Sequence, residues 1–326
     1  MVFKALSVYV REGFYILERC SEMLKIGIIG AGTVGSALAI RLSENSYEVV
    51  AVASRRYASA EKLAKIIKGC EAFETNQLVA DIADVVFITT PDAVISEIAS
   101  TVQWHKGQSV VHCSGADSTE TLQPARQMGA STGVFHPLQT LANVKQAISN
   151  IPGSTFAIEA EEPLLPTLKE MAEALHCRWI ELKASDKVVY HAAAVIASNY
   201  LVTLVKLADD LWETFGIPRE QATQALLPLL KGTLNNIENV GIPQALTGPI
   251  ARGDIDTVKK HITALQKEAP DALSTYCELG LQTIPIAQAK GKIDEEKADE
   301  LRSVLKAGLK RKTSDNHFEK ITQSKS

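Results

Sequence analysis

Two hydrophobic rhythms run along the 326-residue chain. Short unbroken apolar runs at 24–29 (LKIGII), 49–53, 85–89 (VVFIT), 109–113 and 132–135 read as buried strands. Between them apolar residues recur at helical spacing, as at Val34, Leu38 and Leu42, and again over 61–67 and 93–102. That alternation predicts a doubly wound, mostly parallel sheet. Two more strands, 155–158 and 178–182, flank a helix at 163–175. From Ser185 the strand rhythm stops. Helical segments follow at 185–215, 219–236, 255–267, 271–289 and 295–309, punctuated by Pro218, Pro243, Pro249, Pro270 and Gly291. The pattern therefore predicts an α/β domain over 24–183, an all-α domain over 184–310 and a polar, frayed tail over 311–326.

Residues 1–23 stand apart. The apolar stretch at 5–10 is short and Arg11, Glu12, Glu18 and Arg19 follow closely, which makes a poor secretory signal. One reading is a short amphipathic helix through Val10, Phe14 and Leu17. The favoured reading is that Met23 is the natural start and the preceding residues carry no function.

Composition sets limits. The chain is 46% hydrophobic and 22% charged, which fits a globular protein and excludes a disordered or fibrous one. Its 34 basic and 38 acidic residues leave a net charge of -4, without the electrostatic footprint of a nucleic-acid binder. No uninterrupted apolar run approaches the roughly 20 residues of a membrane span. The five cysteines, Cys20, Cys70, Cys113, Cys177 and Cys277, form no C-x-x-C pair. They suggest neither a disulfide framework nor a zinc site and fit the reducing cytoplasm.

The sharpest local signal is Gly30-Ala31-Gly32-Thr33-Val34-Gly35, a G-x-G-x-x-G turn between a buried strand and an apolar helix. In that context Gly30 permits the tight turn, Gly32 lets backbone approach a pyrophosphate, and Gly35 lets helix and strand pack closely. The helix N-terminus offers free N–H groups to the phosphates. An NAD site usually places a carboxylate at the end of the second strand. Here that strand ends in Ser54-Arg55-Arg56, 19 positions and more after Gly35, with no carboxylate. A hydroxyl and two guanidiniums suit a 2′-phosphate, so the expected cofactor is NADP(H). Thr89-Thr90-Pro91-Asp92 and His112-Cys113-Ser114-Gly115 follow later strands and are expected to border the nicotinamide, although each also reads as ordinary turn chemistry.

Lys187 and His191 lie four apart on one helix face, with Asn199 some way round. Lysine can polarise a carbonyl and donate a proton, and histidine can act as acid or base near neutral pH. A snorkelling lysine beside a hydrogen-bonded histidine is the plainer alternative. His136, before Pro137, reads equally as a turn residue or a substrate contact, and Arg252 in TGPIARGD could bind a carboxylate. The chain has no P-loop, no H-E-x-x-H and no G-x-S-x-G, and its seven histidines form no ligand-spaced cluster, so no metal is expected.

Together the stretches IGIIGAGTVGSALA, FITTPDAVI, HCSGADS, GVFHPLQT, DKVVYHAAAVIASNYLVTL and LTGPIARGDIDTV resemble the Rossmann-like family with a C-terminal domain of unknown function 2520. That family is related to reductases with a 6-phosphogluconate-dehydrogenase-like helical C-terminal domain. The resemblance covers roughly 24–307 and implies a dimer formed through the helical domain. Relatives acting on hydroxy or oxo acids carry a Lys on the first helix after the Rossmann domain and an Asn four positions on. Lys187 matches the Lys, whereas His191 stands in place of the Asn. The resemblance makes Ser114, Gly115, His136, Asn199 and Arg252 candidate substrate contacts.

The expectation is thus an NADPH-dependent reductase of a small carbonyl compound, with a 2-oxo acid such as ketopantoate as the leading substrate. Lys187 would polarise the carbonyl and donate or relay the proton, assisted by His191. Reduction of a cyclic imine, as in pyrroline-5-carboxylate reductase, and a non-catalytic NADP(H)-binding regulator are the two alternatives. No nucleic acid or membrane partner is expected.

Overall fold

The computed structural model describes residues 6–11, 14–19 and 24–322, with side-chain exposure described from 24 to 310. Strands β1 (Leu6–Arg11) and β2 (Phe14–Arg19) pair antiparallel as a hairpin, not as the short amphipathic helix entertained for this segment. The expected start at Met23 and the thiol of Cys20 lie outside the described residues.

The α/β unit follows as β3 (Lys25–Ile29), α1 (Thr33–Glu44), β4 (Glu48–Ala53), α2 (Tyr57–Ala64), β5 (Glu71–Phe73), α3 (Asn76–Ile82), β6 (Val85–Ile88) and α4 (Asp92–Thr101). It continues with β7 (Ser109–His112), α5 (Gln123–Gln127), β8 (Ser131–Leu138), α6 (Val144–Asn150), β9 (Thr155–Ala160), α7 (Leu164–Ala174) and β10 (Arg178–Glu181). Eight strands form one sheet in the order β10-β9-β8-β7-β6-β3-β4-β5, parallel except where β8 meets β9. The order reverses beside β3, so the carboxyl ends of β3 and β6 flank a topological switch point, where open α/β sheets bind ligands. β3 and β6 are buried on both faces, which explains their unbroken apolar runs. Beneath the sheet, Phe135 stacks on Phe156 at 4.0 Å between ring centroids, and Phe87 packs against Phe135 at 5.9 Å.

β5 and the short helices α3, α5 and α6 were not foreseen. Only three to seven residues long, they are too brief for a period to show. The chain divides into two compact units at Ser198, so helix α8 (Lys187–Ala197) goes with the α/β unit. The predicted continuous helix over 185–215 is instead interrupted at Ser198.

The second unit is helical: α9 (Asn199–Glu213), α10 (Arg219–Val240), α11 (Ile255–Glu268), α12 (Pro270–Ala289) and α13 (Glu295–Thr322). α13 runs on past Lys310, where a frayed tail was expected. Its core joins Ile262, Cys277, Ile284, Leu301 and Leu305. By contrast α9 and α10 leave Val202, Leu229, Leu234 and Val240 exposed. The stretch Ala184–Glu213 is long and apolar enough to cross a membrane, with mean hydropathy 1.6 over its best 18 residues. The sequence reading missed it by weighing only uninterrupted apolar runs.

Candidate active site

The first half of the site is made of backbone. Gly30 has φ +115° and its N–H bonds to the Ala53 carbonyl at 2.8 Å, closing the turn between β3 and α1. A Cβ on Gly35 would sit 2.0 Å from the Gly30 carbonyl oxygen and 2.3 Å from Thr89 Oγ1, so only glycine fits there. Thr89 locks the turn from the end of β6: its hydroxyl donates to the Gly30 carbonyl at 2.6 Å. α1 has no side-chain cap, which leaves the N–H groups of its first turn, Thr33 and Val34 included, for an anion. Nothing lies within 4 Å of a Cβ built on Gly32, so that residue borders open space.

That space is a pocket of about 230 Å³ lined by Gly30, Ala31, Gly32, Ser54, Arg55, Arg56, Ser59, Thr89, Thr90, Pro91 and Val94. Two sequence-distant signals, the glycine turn and Ser54-Arg55-Arg56, thus share one wall. Thr90 Oγ1 is buried without a hydrogen-bond partner, a polar atom left for a ligand. The donor set fits a phosphorylated dinucleotide: backbone N–H groups for a pyrophosphate and two exposed guanidiniums for a further phosphate. Asp92 departs from expectation. It does not line this pocket; its carboxylate accepts a 2.9 Å bond from Ser114 Oγ.

The second half is gathered from β7, the loop that follows it, β8 and α8. α8 is inverted relative to an ordinary amphipathic helix. Its one buried residue is Lys187, 1% exposed, while Val188, Val189 and Ile196 are 68%, 73% and 64% exposed. Lys187 Nζ donates to the Ser114 carbonyl at 3.1 Å, and no carboxylate among the described residues comes within 4.0 Å of it. Burial pushes its pKa down, opposed by the more distant charges of Glu159, Asp117 and Asp92. An ammonium held this way is short of a counter-charge.

The Ser114 loop is rigid. Ser114 Oγ accepts from the Asp117 N–H at 3.0 Å and lies 2.9 Å from Asp92 Oδ2 and 3.2 Å from Asp117 Oδ2. The hydroxyl expected to orient substrate is therefore committed to its own loop, and Ser114 serves the site through its carbonyl. His112 Nδ1 accepts from the Ser114 N–H at 3.1 Å, and Nε2 faces the Ser118 carbonyl at 3.0 Å. Burial keeps His112 neutral, with its pKa lowered to about 4.

His136 joins the cluster from β8. Its Nδ1 lies 2.8 Å from Tyr190 Oη, and its ring meets that of His191 at 6.3 Å between centroids. Burial, then the Lys187 charge, lowers its pKa to about 4, and burial raises that of Tyr190 to about 12. A Cβ on Gly115 would fall 2.6 Å from His191 Cδ2 and 2.9 Å from His136 Nε2, so Gly115 lets both rings approach the loop.

The structure brings Lys187, His191, His136, Ser114 and Gly115 together. Asn199 and Arg252 belong to the second unit: Asn199 is exposed at the start of α9, and Arg252 is exposed at the end of a 3-10 turn before left-handed Gly253. Sequence reasoning missed Tyr190 and Asp117, and named His112 only as part of the turn after β7. Tyr190 had a signal, three positions after Lys187 on the same side of the helix. Asp117 had none, because it acts within a loop whose path no periodicity reports.

Comparison with known proteins agrees with this architecture. Residues 18–137 match the Rossmann-like domain and residues 154–283 the domain of unknown function DUF2520. A search of curated proteins returned no match. The fold is similar to the crystal structure of protein TM1727 from Thermotoga maritima (25% identity, 85% of this chain and 99% of that one, TM-score 0.63). It is also similar to 1-pyrroline-5-carboxylate reductase from Streptococcus pyogenes (16% identity, 87% and 100% covered, TM-score 0.56). A reductive aminase from Aspergillus terreus, solved with NADPH and ethyl-5-oxohexanoate, shares the fold as well (14% identity, 89% and 94% covered, TM-score 0.56). The chain belongs to the family that joins a Rossmann-like domain to the domain of unknown function DUF2520.

Proposed function

We propose that the chain is an NADPH-dependent oxidoreductase that reduces the carbonyl group of a small anionic compound, with a 2-oxo acid such as ketopantoate as the leading substrate. The observation that carries this reading is Lys187, a buried ammonium without a carboxylate partner, in the same α/β unit as a pocket built for a phosphorylated dinucleotide. The similar solved structure of a reductive aminase in complex with NADPH supports the cofactor assignment. When bound, that cofactor supplies hydride. Gly30, Gly32, Thr33, Val34 and Gly35 would hold its pyrophosphate, Ser54, Arg55 and Arg56 its 2′-phosphate, and Thr89, Thr90 and Pro91 would border it at the end of β6. Lys187 binds and polarises the carbonyl oxygen, and the negative charge developing there supplies the missing counter-charge. His191 and His136 shape the substrate side. Asn199 and Arg252 enter as substrate contacts on the family resemblance alone.

A homodimer through the helical unit is part of the same proposal, supported by the exposed apolar residues of α9 and α10. It also accounts for the membrane-length stretch without a membrane. Light scattering at micromolar concentration should give twice the chain mass. The free thiols of Cys70, Cys113, Cys177 and Cys277 suit the reducing cytoplasm.

A second reading, reduction of a cyclic imine, draws on the named activity of the pyrroline-5-carboxylate reductase neighbour. One assay separates the two. Purified protein with NADPH and a panel of 2-oxo acids and cyclic imines should consume the reduced nicotinamide on an oxo acid. Turnover on imines alone would move the assignment to the second reading. Tight NADPH binding without turnover on any compound would leave a nucleotide-binding regulator.

A further inference from the structure

Resting on the carbonyl-reductase reading, we propose that Tyr190 is the residue that delivers the proton to the reduced substrate, and that His136 restores it. Lys187 alone makes a poor proton source. It is 1% exposed, and its one hydrogen-bond partner is the Ser114 carbonyl, which can accept a proton but never give one. While product occupies the site, no protein group hydrogen-bonded to it can return the proton.

Tyr190 is placed differently. It sits three positions after Lys187 on α8, so the phenol and the ammonium lie on neighbouring parts of one helix face. Its hydroxyl is 2.8 Å from His136 Nδ1, and both side chains are only partly buried, so water can reach the pair. Gly115 completes the arrangement, since any side chain there would collide with His136 Nε2 and displace the ring.

Hydride forms the new C–H bond, and the π pair of the carbonyl moves onto its oxygen beside Lys187. The Tyr190 O–H bond breaks as an O–H bond forms on that oxygen. His136, protonated on Nδ1, passes this proton to the phenolate and takes a replacement from water on Nε2. The imidazole is left neutral with its proton on Nε2; exchange with water returns it to the Nδ1–H tautomer for the next turnover, and the consumed proton comes from solvent. A substrate alkoxide is a much stronger base than a phenolate, so the transfer runs downhill. An iminium arrives already protonated and becomes an amine on hydride addition, so imine reduction would not need Tyr190.

Tyr190→Phe removes one oxygen atom and keeps the ring. In the cofactor-free protein, ring NMR of His136 should shift in Tyr190→Phe; an unmoved signal would overturn the pairing. On the 2-oxo acid, kcat should fall about thirty- to a thousandfold, with KM and the NADPH dissociation constant within about threefold of wild type. His136→Gln should fall similarly, and either variant should change the solvent isotope effect on kcat. Should Tyr190→Phe fail to fold by circular dichroism, His136→Gln carries the same kinetic and isotope-effect readouts. A Tyr190→Phe enzyme with wild-type kcat and an unchanged isotope effect would refute the proton role and leave the reductase reading standing. Wild-type protein that turns over imines alone, or nothing, would refute both.

Discussion

The carboxyl edge of one sheet carries two sites built on opposite principles. At the ends of β3 and β6 the nucleotide pocket is made mainly of backbone, shaped by Gly30 and Gly35 and pinned by the Thr89 hydroxyl. Beyond the ends of β7 and β8 the Lys187 cluster is made of side chains from four separate elements. The backbone site is stable by construction: its turn is hydrogen-bonded and its glycines relieve strain. The side-chain site stores cost, because a lysine is buried with its counter-charge missing. The comparison implies that damage to the first site lowers affinity and stability together, whereas damage to the second trades activity for stability.

The most severe test is Lys187→Met, which keeps the length of the side chain and removes the charge. Turnover should fall by about two to three orders of magnitude, the usual loss for a charge-stabilising group. Thermal stability should rise, on the order of 1–3 kcal/mol, because an apolar chain replaces an underpaired buried ion. Differential scanning calorimetry beside the NADPH assay reads both. A variant that is less stable and still active would break the contrast at its centre.

Gly35→Ala should behave in the opposite way. Its new methyl group collides with the Gly30 carbonyl and with Thr89 Oγ1, so the turn must open. NADPH binding should weaken by about a hundredfold with a stability loss of about 1–3 kcal/mol. A smaller and more selective effect is expected from replacing Arg55 and Arg56 together by alanine. Affinity for NADPH should fall about ten- to a hundredfold, as for loss of charge-assisted phosphate bonds, while NADH binding stays unchanged. Equal losses for both nucleotides would mean that the arginines do not read the 2′-phosphate.

The same contrast explains what the sequence could and could not convey. The pocket was legible because its parts are local: a six-residue glycine turn after a buried strand, and Ser54-Arg55-Arg56 at the end of the next. Each lies directly after a strand whose apolar run is unmistakable. Lys187 and His191 were legible as a helical pair, but their surroundings were not. The apolar face of α8 with Val188 and Val189 is exposed while Lys187 is buried, and periodicity shows two faces of a helix without saying which one meets the sheet. Tyr190 finds His136 across 54 positions of sequence, a separation that only the assembled sheet closes. Asp92 looked like a cofactor residue for its place in the turn, and its real partner is the Ser114 hydroxyl on the neighbouring loop.

The mildest prediction concerns His112, which braces the Ser114 loop through the Ser114 N–H and the Ser118 carbonyl. Folded His112 takes up a proton only near pH 4, because burial opposes the charge, whereas an unfolded histidine does so near pH 6.5. Between those values the unfolded chain binds the extra proton, so folding stability falls as pH drops through this window. The expected loss from this one group is about 2 kcal/mol between pH 7 and pH 5, with a smaller share from partly exposed His136. Below about pH 4 the contribution should level off, since both states are then protonated. His112→Asn should unfold more easily at pH 7, having lost the 3.1 Å acceptor for the Ser114 N–H, yet its melting temperature should fall less steeply between pH 7 and 5 than that of the wild type. Parallel slopes for the two proteins would mean that His112 takes up its proton as readily in the fold as in the unfolded chain, and so is charged there at pH 5. In that case the loop holding the Ser114 carbonyl against Lys187 would contain a second cation, and the shortage of counter-charge would belong to the loop as well as to the lysine.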